Sequence, residues 1–141
     1  MKPCTDRAAM IFVDTSFLYA GLVAADTHHE EAVTLTRETV GQHLVTTNQV
    51  VGECWTLLNR RWGHSFALRF LDRIGQARMI EAHHLPEEVE DRAFSWLRRH
   101  DERAYSFVDA TSFAFMEANG ITEALAFDGD FAAAGFTEIR P

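Results

Sequence analysis

The sequence predicts an α/β fold in which helices cover both faces of a central parallel sheet. Short apolar segments alternate along the chain with longer amphipathic ones, as strands alternate with helices in βαβ units. Such units have right-handed crossovers and therefore produce parallel strands. The chain has 141 residues, with no internal repeat and no linker-like stretch. We therefore expect a single domain that covers residues 1–141.

The predicted strands are short and mostly apolar, which is typical of strands that are buried on both faces. The first begins at Met10 and ends immediately before Asp14. The last, near the C-terminus, is expected at an edge of the sheet. The five predicted strands are residues 10–13, 44–46, 79–82, 124–127 and 137–139.

Six helices are predicted between these strands from cap residues, glycine stops and apolar periodicity. They cover residues 17–23, 28–40, 49–62, 65–74, 86–100 and 106–119. Hydroxyl, amide and acidic side chains are expected to cap their N-termini, because such side chains accept hydrogen bonds from unpaired backbone N–H groups. The expected cap residues are Thr15 or Ser16, Thr27 with Glu30, Asn48, and Ser106 with Asp109.

Composition and charge limit the class of protein. No apolar stretch is long enough to span a bilayer, and the N-terminus lacks the apolar core of a signal peptide, so we expect a cytoplasmic protein. Cys4 and Cys54 have no metal-binding spacing, and we expect both to be free thiols. The net charge of −8 disfavours a basic nucleic-acid-binding surface. That objection weakens if several carboxylates surround divalent cations, which offset their charge.

Acidic side chains stand where predicted strands end. Asp14 follows the first strand directly, and Asp128 and Asp130 follow the fourth predicted strand. Glu53 and Asp109 lie in the first two turns of helices, and the N-termini of helices that follow strands face the same edge of the sheet. Ligands of parallel sheets bind at this carboxyl edge. We therefore expect these acids to converge on one pocket.

Grouped carboxylates repel one another where water is scarce, and a divalent cation relieves that repulsion. Oxygen ligands without thiolates favour Mg²⁺ or Mn²⁺ over Zn²⁺. The chemistry that matches such a site is phosphodiester hydrolysis, in which metal activates water and stabilises charge on the phosphate. Each acid also has a structural alternative. Asp14 and Asp109 could cap helices, and Glu53 could be a solvated helix residue. The segment 128–130 could be an ordinary turn.

Four short segments resemble, in order and spacing, the successive motifs of the PIN-domain family. They are VDTSFL at 13–18, GE at 52–53, SFVDA at 106–110 and FDGDF at 127–131. The resemblance extends over nearly the whole chain, and the length is similar to that of single-domain VapC-like toxins. It implies an α/β/α sandwich with strand order 3-2-1-4-5. It also implies an Mg²⁺- or Mn²⁺-dependent endoribonuclease that is the toxin of a type II toxin–antitoxin pair.

Position by position, the resemblance implies roles for six residues. The four acids implied to bind metal and to act in catalysis are Asp14, Glu53, Asp109 and Asp128. Asp130 matches an accessory acid at the cofactor site, and Ser16 matches the hydroxyl residue that orients the first acid. Ala126 departs from the pattern, since many members have serine or threonine there. The departure puts in doubt a hydrogen bond that would support the fourth acid.

The resemblance also implies partners, namely an RNA substrate and a small cognate antitoxin. We expect the antitoxin to lay an apolar segment along a groove and to present a basic side chain to the carboxylates. The apolar helices suggest a homodimer, and no membrane partner is expected. Arg60 and Arg61 could bind RNA phosphates or be solvated, and His28 could pack at the pocket rim.

Two other functions remain open at this point. A non-catalytic PIN-like module that binds RNA or protein would have lost acids, but all four are present. A haloacid-dehalogenase-type phosphatase also begins from an aspartate after its first strand. It would need an acid two residues later and a lysine further along the chain. Ser16 occupies the former position, and no lysine follows Lys2.

Overall fold

The computed structural model describes residues 9–76 and 79–141. Its sheet has five parallel strands in the order β3-β2-β1-β4-β5, which confirms the predicted strand order. The strands are β1 (Met10–Val13), β2 (His43–Thr47), β3 (Ile80–His83), β4 (Glu123–Leu125) and β5 (Thr137–Glu138). Because β1 lies between β2 and β4, it is the central strand, and its last three residues are buried.

Seven helices connect the strands within the described residues. They are α1 (Thr15–Leu22), α2 (His29–Glu38), α3 (Asn48–Trp62), α4 (His64–Gln76), α5 (Glu87–Arg99), α6 (Phe107–Ala118) and α7 (Asp130–Ala133). Six of them correspond to the predicted helices. The four-residue α7 was not predicted, because a single helical turn is too short to show apolar periodicity. None of the described helices combines the length and the apolar character that a membrane span requires.

The caps of α1 and α3 differ from those predicted. Asp14, rather than Thr15 or Ser16, is the N-cap of α1, and its side chain accepts a hydrogen bond from the Ser16 N–H. Thr47 is the N-cap of α3, whereas Asn48 accepts a hydrogen bond from Leu85 through its side-chain oxygen. In both helices the capping residue directly follows a strand or is its last residue. Its backbone is therefore already extended, as an N-cap requires.

The other two predicted caps had different outcomes. The capping box at Thr27 was wrong, because α2 begins after His28 and has no side-chain cap. Instead the Asp26 carboxylate accepts a hydrogen bond from the His28 N–H at 2.8 Å. The capping box of Ser106 and Asp109 is confirmed, with both of its hydrogen bonds present. Of the two predicted free thiols, Cys54 is free and buried, and the other, at position 4, lies outside the described residues.

The core lies around the central strand and α6. Phe12 is fully buried, and its ring stacks on Phe131 at 6.0 Å between centroids. Phe113 contacts Phe131 edge-on at 4.9 Å, a favourable aromatic geometry. All residues of α6 from 109 to 116 are buried. The helix that carries Asp109 is therefore fixed by packing on every side.

A buried hydrogen bond holds the end of the central strand. The Thr46 hydroxyl donates to the Val13 carbonyl at 2.7 Å, and both residues are fully buried. We expect Thr46→Val to lower the free energy of unfolding by about 1 kcal/mol, because the carbonyl loses a donor that water cannot replace. Urea unfolding measures the change. Thr56→Val is the control, since the exposed Thr56 hydroxyl also donates to a backbone carbonyl, and it should have almost no effect.

Candidate active site

Four of the predicted acids come together at the carboxyl edge of the sheet. Carboxylate oxygens of Asp109, Asp128 and Asp130 lie within 4.8 Å of one another. Asp14 follows β1, which pairs with β4, and its backbone N–H donates to the carbonyl of Leu125 at 3.1 Å. The Ser16 hydroxyl donates to the Asp14 carboxylate and accepts from the Phe127 N–H, so Asp14 lies beside the segment that carries Asp128.

Asp14 is the most deeply buried of these acids, with 2% of its surface exposed. Its Oδ2 atom accepts hydrogen bonds from the Ser16 N–H at 3.1 Å and from the Ser16 hydroxyl at 2.7 Å. Burial raises the pKa of Asp14 to about 7, and the negative charge of Asp128 adds to this rise. A buried carboxylate that is difficult to ionise is typical of a site that expects a positive charge.

Asp109 combines a structural role with a place in the acidic group. Its Oδ2 atom accepts a hydrogen bond from the Ser106 N–H at 3.0 Å, as part of the capping box of α6. Burial raises the pKa of Asp109 to about 6, and the charges of Asp128 and Asp130 contribute. The cap uses one carboxylate oxygen, and the other oxygen makes no described hydrogen bond. The capping role and a metal-binding role are therefore compatible.

Asp128 and Asp130 belong to a tight turn between β4 and α7. The N–H of Asp130 donates to Oδ1 of Asp128 at 3.1 Å, and Gly129 between them has φ +82°, a conformation that favours glycine. Burial, followed by the charge of Asp130, raises the pKa of Asp128. The turn that was the structural alternative for this segment is thus present, and it is compatible with the acidic group, because it holds Asp128 and Asp130 beside Asp109.

Glu53 is not part of this group of oxygens. It is half-buried on α3 and lines a cleft of about 530 Å³. The same cleft is lined by Thr15 and Val108, which adjoin Asp14 and Asp109 in the sequence, and by Arg60. The cleft that Glu53 lines is therefore next to the segments that carry Asp14 and Asp109, although these two acids do not line it. Arg60, for which the sequence allowed either a solvated position or a contact to RNA phosphate, lines this cleft.

Ser16 connects two of the acid-bearing segments. Besides donating to Asp14, its hydroxyl oxygen accepts a hydrogen bond from the Phe127 N–H at 3.0 Å. Because Phe127 precedes Asp128, this contact holds the end of β4 beside the start of α1. Ala126 provides no hydroxyl, but its carbonyl accepts a hydrogen bond from Arg140 at 2.7 Å. Support for this segment therefore comes from the C-terminal arginine as well as from Ser16.

Two arginines near the acids were not predicted. Arg103 forms an ion pair with Asp130 at 2.9 Å, and the Arg140 guanidinium lies 5.2 Å from the ring centroid of Phe127. His28 stacks on the same ring at 4.6 Å. No short-range pattern marks either arginine, because their partners are 27 and 14 residues away in the chain. Only the fold brings them to the site.

The acidic side chains are suitable ligands for a hard divalent cation, whereas the nearby cysteine is not suited to act as a nucleophile. All the grouped ligand atoms are carboxylate oxygens, the donors that Mg²⁺ and Mn²⁺ prefer. Cys54 is buried nearby, and burial together with the charges of Glu53 and Asp14 raises the pKa of its thiol to about 12. A thiol that remains protonated at neutral pH is a poor nucleophile.

Comparisons with known proteins agree with the fold. The 23S rRNA-specific endonuclease VapC20 is 51% identical over 132 residues, which are 94% of this chain and 99% of that protein. It occurs in Mycobacterium tuberculosis strains CDC 1551 / Oshkosh and ATCC 25618 / H37Rv. A crystal structure of the M. tuberculosis VapC20, described as a sarcin–ricin-loop-cleaving toxin, has a TM-score of 0.87. It is 50% identical and covers 93% of this chain and 99% of its own.

Two more distant structures share the fold. FitAcB from Neisseria gonorrhoeae is 14% identical with a TM-score of 0.66, covering 92% of this chain and 96% of its own. FitAB bound to an IR36 DNA fragment is 16% identical with the same TM-score, covering 92% and 94%. The PIN domain matches residues 11–137 of the sequence. This match and the identity to VapC20 exclude the haloacid-dehalogenase alternative. The chain belongs to the PIN-domain family.

Proposed function

We propose that this chain is a metal-dependent endoribonuclease that acts as a toxin and cuts the sarcin–ricin loop of 23S rRNA. The main observation is the convergence of four acids at one edge of the sheet: Asp109, Asp128 and Asp130 have oxygens within 4.8 Å of one another, and the buried Asp14 lies beside their turn. The substrate is inferred from VapC20, which is 51% identical to this chain over 94% of its length. A cytoplasmic location is part of the proposal, since ribosomes are the target.

The metal is proposed to be Mg²⁺ or Mn²⁺. Asp14, Asp109 and Asp128 would hold it, because desolvation raises the pKa of all three carboxyls and a nearby positive charge would favour their ionised forms. When bound, such an ion lowers the pKa of a water molecule and stabilises negative charge on the phosphate. Glu53 would act from the cleft that it lines on α3, and Asp130 would be an accessory acid at the turn.

The chain's own residues orient these acids and receive the RNA. Ser16 fixes the Asp14 carboxylate through two hydrogen bonds and fixes the adjacent backbone of Phe127 through a third. The cleft of about 530 Å³ beside Glu53 gives room for a nucleotide. Arg60 lines that cleft, and a guanidinium suits the oxygens of a phosphate. The negative net charge of the protein is thus compatible with a local contact to RNA.

Cleavage of intact ribosomes tests the function. Purified ribosomes would be incubated with the protein and Mg²⁺ or Mn²⁺, and primer extension across 23S rRNA would locate any cut. We expect one cut within the sarcin–ricin loop, abolished by a chelator. Asp91→Asn, an identical chemical change on the exposed face of α5, should cut normally. An intact loop under all conditions would instead favour a non-catalytic binding module.

The antitoxin is proposed to occupy an apolar groove of about 380 Å³ between α1, α2 and α4. Leu18, Leu22 and Ile74 are among its apolar lining residues, and Arg37 and Arg73 also line it. Phe17, at one side of this groove, stacks on Phe127, which precedes Asp128. An apolar segment in the groove could therefore continue to the acids and place a basic side chain there.

Native co-purification and hydrodynamics test both proposed partners. We expect the chain to be a homodimer at micromolar concentration and to co-purify with a small protein from its native host. Met79 lines the groove and is 50% exposed, so Met79→Glu should weaken binding of that protein without unfolding the chain. Val40→Glu is the control, because Val40 is also exposed but does not line the groove. A monomer without a small partner would contradict both proposals.

A further inference from the structure

We propose that Arg103 supplies the second positive charge of the active site, at a position that a second divalent ion would otherwise fill. The site would then hold one metal ion together with one guanidinium. This role rests on the proposed function, since it concerns how the acids are neutralised when RNA is bound and cut.

The acids offer two positions for positive charge. The inner position is beside Asp14, which is 2% exposed and accepts a hydrogen bond from the Ser16 hydroxyl, and this hydroxyl also accepts one from the Phe127 N–H next to Asp128. The outer position is beside Asp130, whose carboxylate oxygens approach those of Asp109 and Asp128 within 4.8 Å. Asp128 and Asp109 are shared between the two. Shared carboxylates of this kind are the ordinary means of holding two adjacent cations.

Arg103 already stands at the outer position. Its Nε atom donates to Oδ1 of Asp130 at 2.9 Å, and one Nη atom donates to the backbone carbonyl of Asp128 at 3.4 Å. The same Nη atom would lie 3.5 Å from a Cβ added at Gly129, so the guanidinium packs closely against the turn. At the inner position, none of the ion pairs of the described residues involves Asp14 or Asp109.

The guanidinium of Arg103 retains unused donors. A guanidinium has five N–H donors, and the described contacts of Arg103 engage two of its nitrogens. Its side chain is 43% exposed, so the remaining donors face solvent beside the acids. Arginine binds phosphate oxygens through two parallel hydrogen bonds, and a fixed guanidinium can stabilise charge that develops on a phosphate. Arg103 can thus hold the turn and contact RNA at the same time.

The two possible roles of Arg103, a structural ion pair and a positive charge that replaces a metal ion, predict different numbers of bound metal ions. If Arg103 only braces the turn, its removal should leave the number of bound metal ions unchanged or reduce it. If Arg103 occupies the outer position, its removal should free carboxylate oxygens for a second ion. The number of ions bound without RNA therefore separates the two roles, and it does not depend on any enzymatic activity.

Calorimetric titration with Mn²⁺ measures that number for the wild type, Arg103→Gln and Arg103→Lys. We expect one ion in the wild type and in Arg103→Lys, and two in Arg103→Gln. Arg92→Gln, which removes an exposed arginine of α5, is the matched control and should bind one ion. Two ions in the wild type, or one in Arg103→Gln, would overturn the assignment.

Ribosome cleavage by the same variants gives the second measurement. Arg103→Gln should cut at least about 100-fold more slowly at low Mn²⁺, and it should recover as Mn²⁺ rises, because an ion then fills the outer position. Arg103→Lys should be intermediate. Cleavage by Arg103→Gln at the wild-type rate, or a defect that no Mn²⁺ concentration relieves, would contradict the role. If the wild type cuts no RNA, the proposed function fails, while the ion count still decides the position of Arg103.

Discussion

Replacing Asp14 with asparagine should abolish RNA cleavage while leaving the fold intact. Asparagine has the same shape and keeps a side-chain oxygen that can accept the Ser16 hydrogen bonds, so the cap of α1 is retained. It lacks the negative charge that would hold a metal ion at the most deeply buried acid. We expect cleavage to fall at least about 100-fold, because an ion that is bound weakly or misplaced stabilises the transition state poorly.

The matched measurements for Asp14→Asn are ribosome cleavage, Mn²⁺ titration and circular dichroism. Asp91→Asn controls for the loss of one negative charge anywhere on the protein. We expect Asp14→Asn, but not Asp91→Asn, to bind Mn²⁺ more weakly than the wild type. The circular dichroism spectra of both variants should be unchanged. A variant that melts earlier yet cuts RNA at the wild-type rate would show that Asp14 acts only as a helix cap.

Much of the fold and part of the acidic group were predictable from local sequence. The apolar run before Asp14 and the run before Asp128 each specify a buried strand, and acids that follow neighbouring parallel strands must meet at one edge. The capping box of Asp109 fixed its place at the first turn of a helix. The strand order itself was expected from the family resemblance, and the register of β1 with β4 bears it out.

The remaining features depend on contacts between distant segments. Whether Glu53 joins the other acids or faces them depends on the rotation and tilt of α3 against its neighbours, which spacing does not determine. Arg103 lies in a polar segment without periodicity, and its ion pair with Asp130 exists only because the turn after β4 is brought beside it. The cap at Asp14, which the sequence left open beside Thr15 and Ser16, has a local cause, since one residue both follows the strand and caps the helix.

The stability of the metal-free protein should fall as pH rises from about 5 to about 8. The unfolded chain ionises Asp14 near its ordinary pKa of 3.8, whereas the folded protein holds that pKa at about 7 and the pKa of Asp109 at about 6. Between these values the unfolded state binds fewer protons than the folded state. Raising the pH therefore favours unfolding, and the loss is complete above the folded pKa values.

Urea unfolding in a chelator measures this loss, which we expect to be on the order of a few kcal/mol across that pH range. The free energy of unfolding of Asp14→Asn should fall less over this range, because the residue with the most strongly raised pKa no longer titrates. At the higher pH this variant should be more stable than the wild type. Asp91→Asn should follow the wild type. Adding Mn²⁺ should restore wild-type stability at the higher pH, since the ion binds the ionised carboxylates of the folded state alone. A wild-type stability that stays level or rises with pH in the chelator would mean that burial and neighbouring charges do not raise the pKa values of these acids, and the electrostatic reason for a metal ion at this site would be lost.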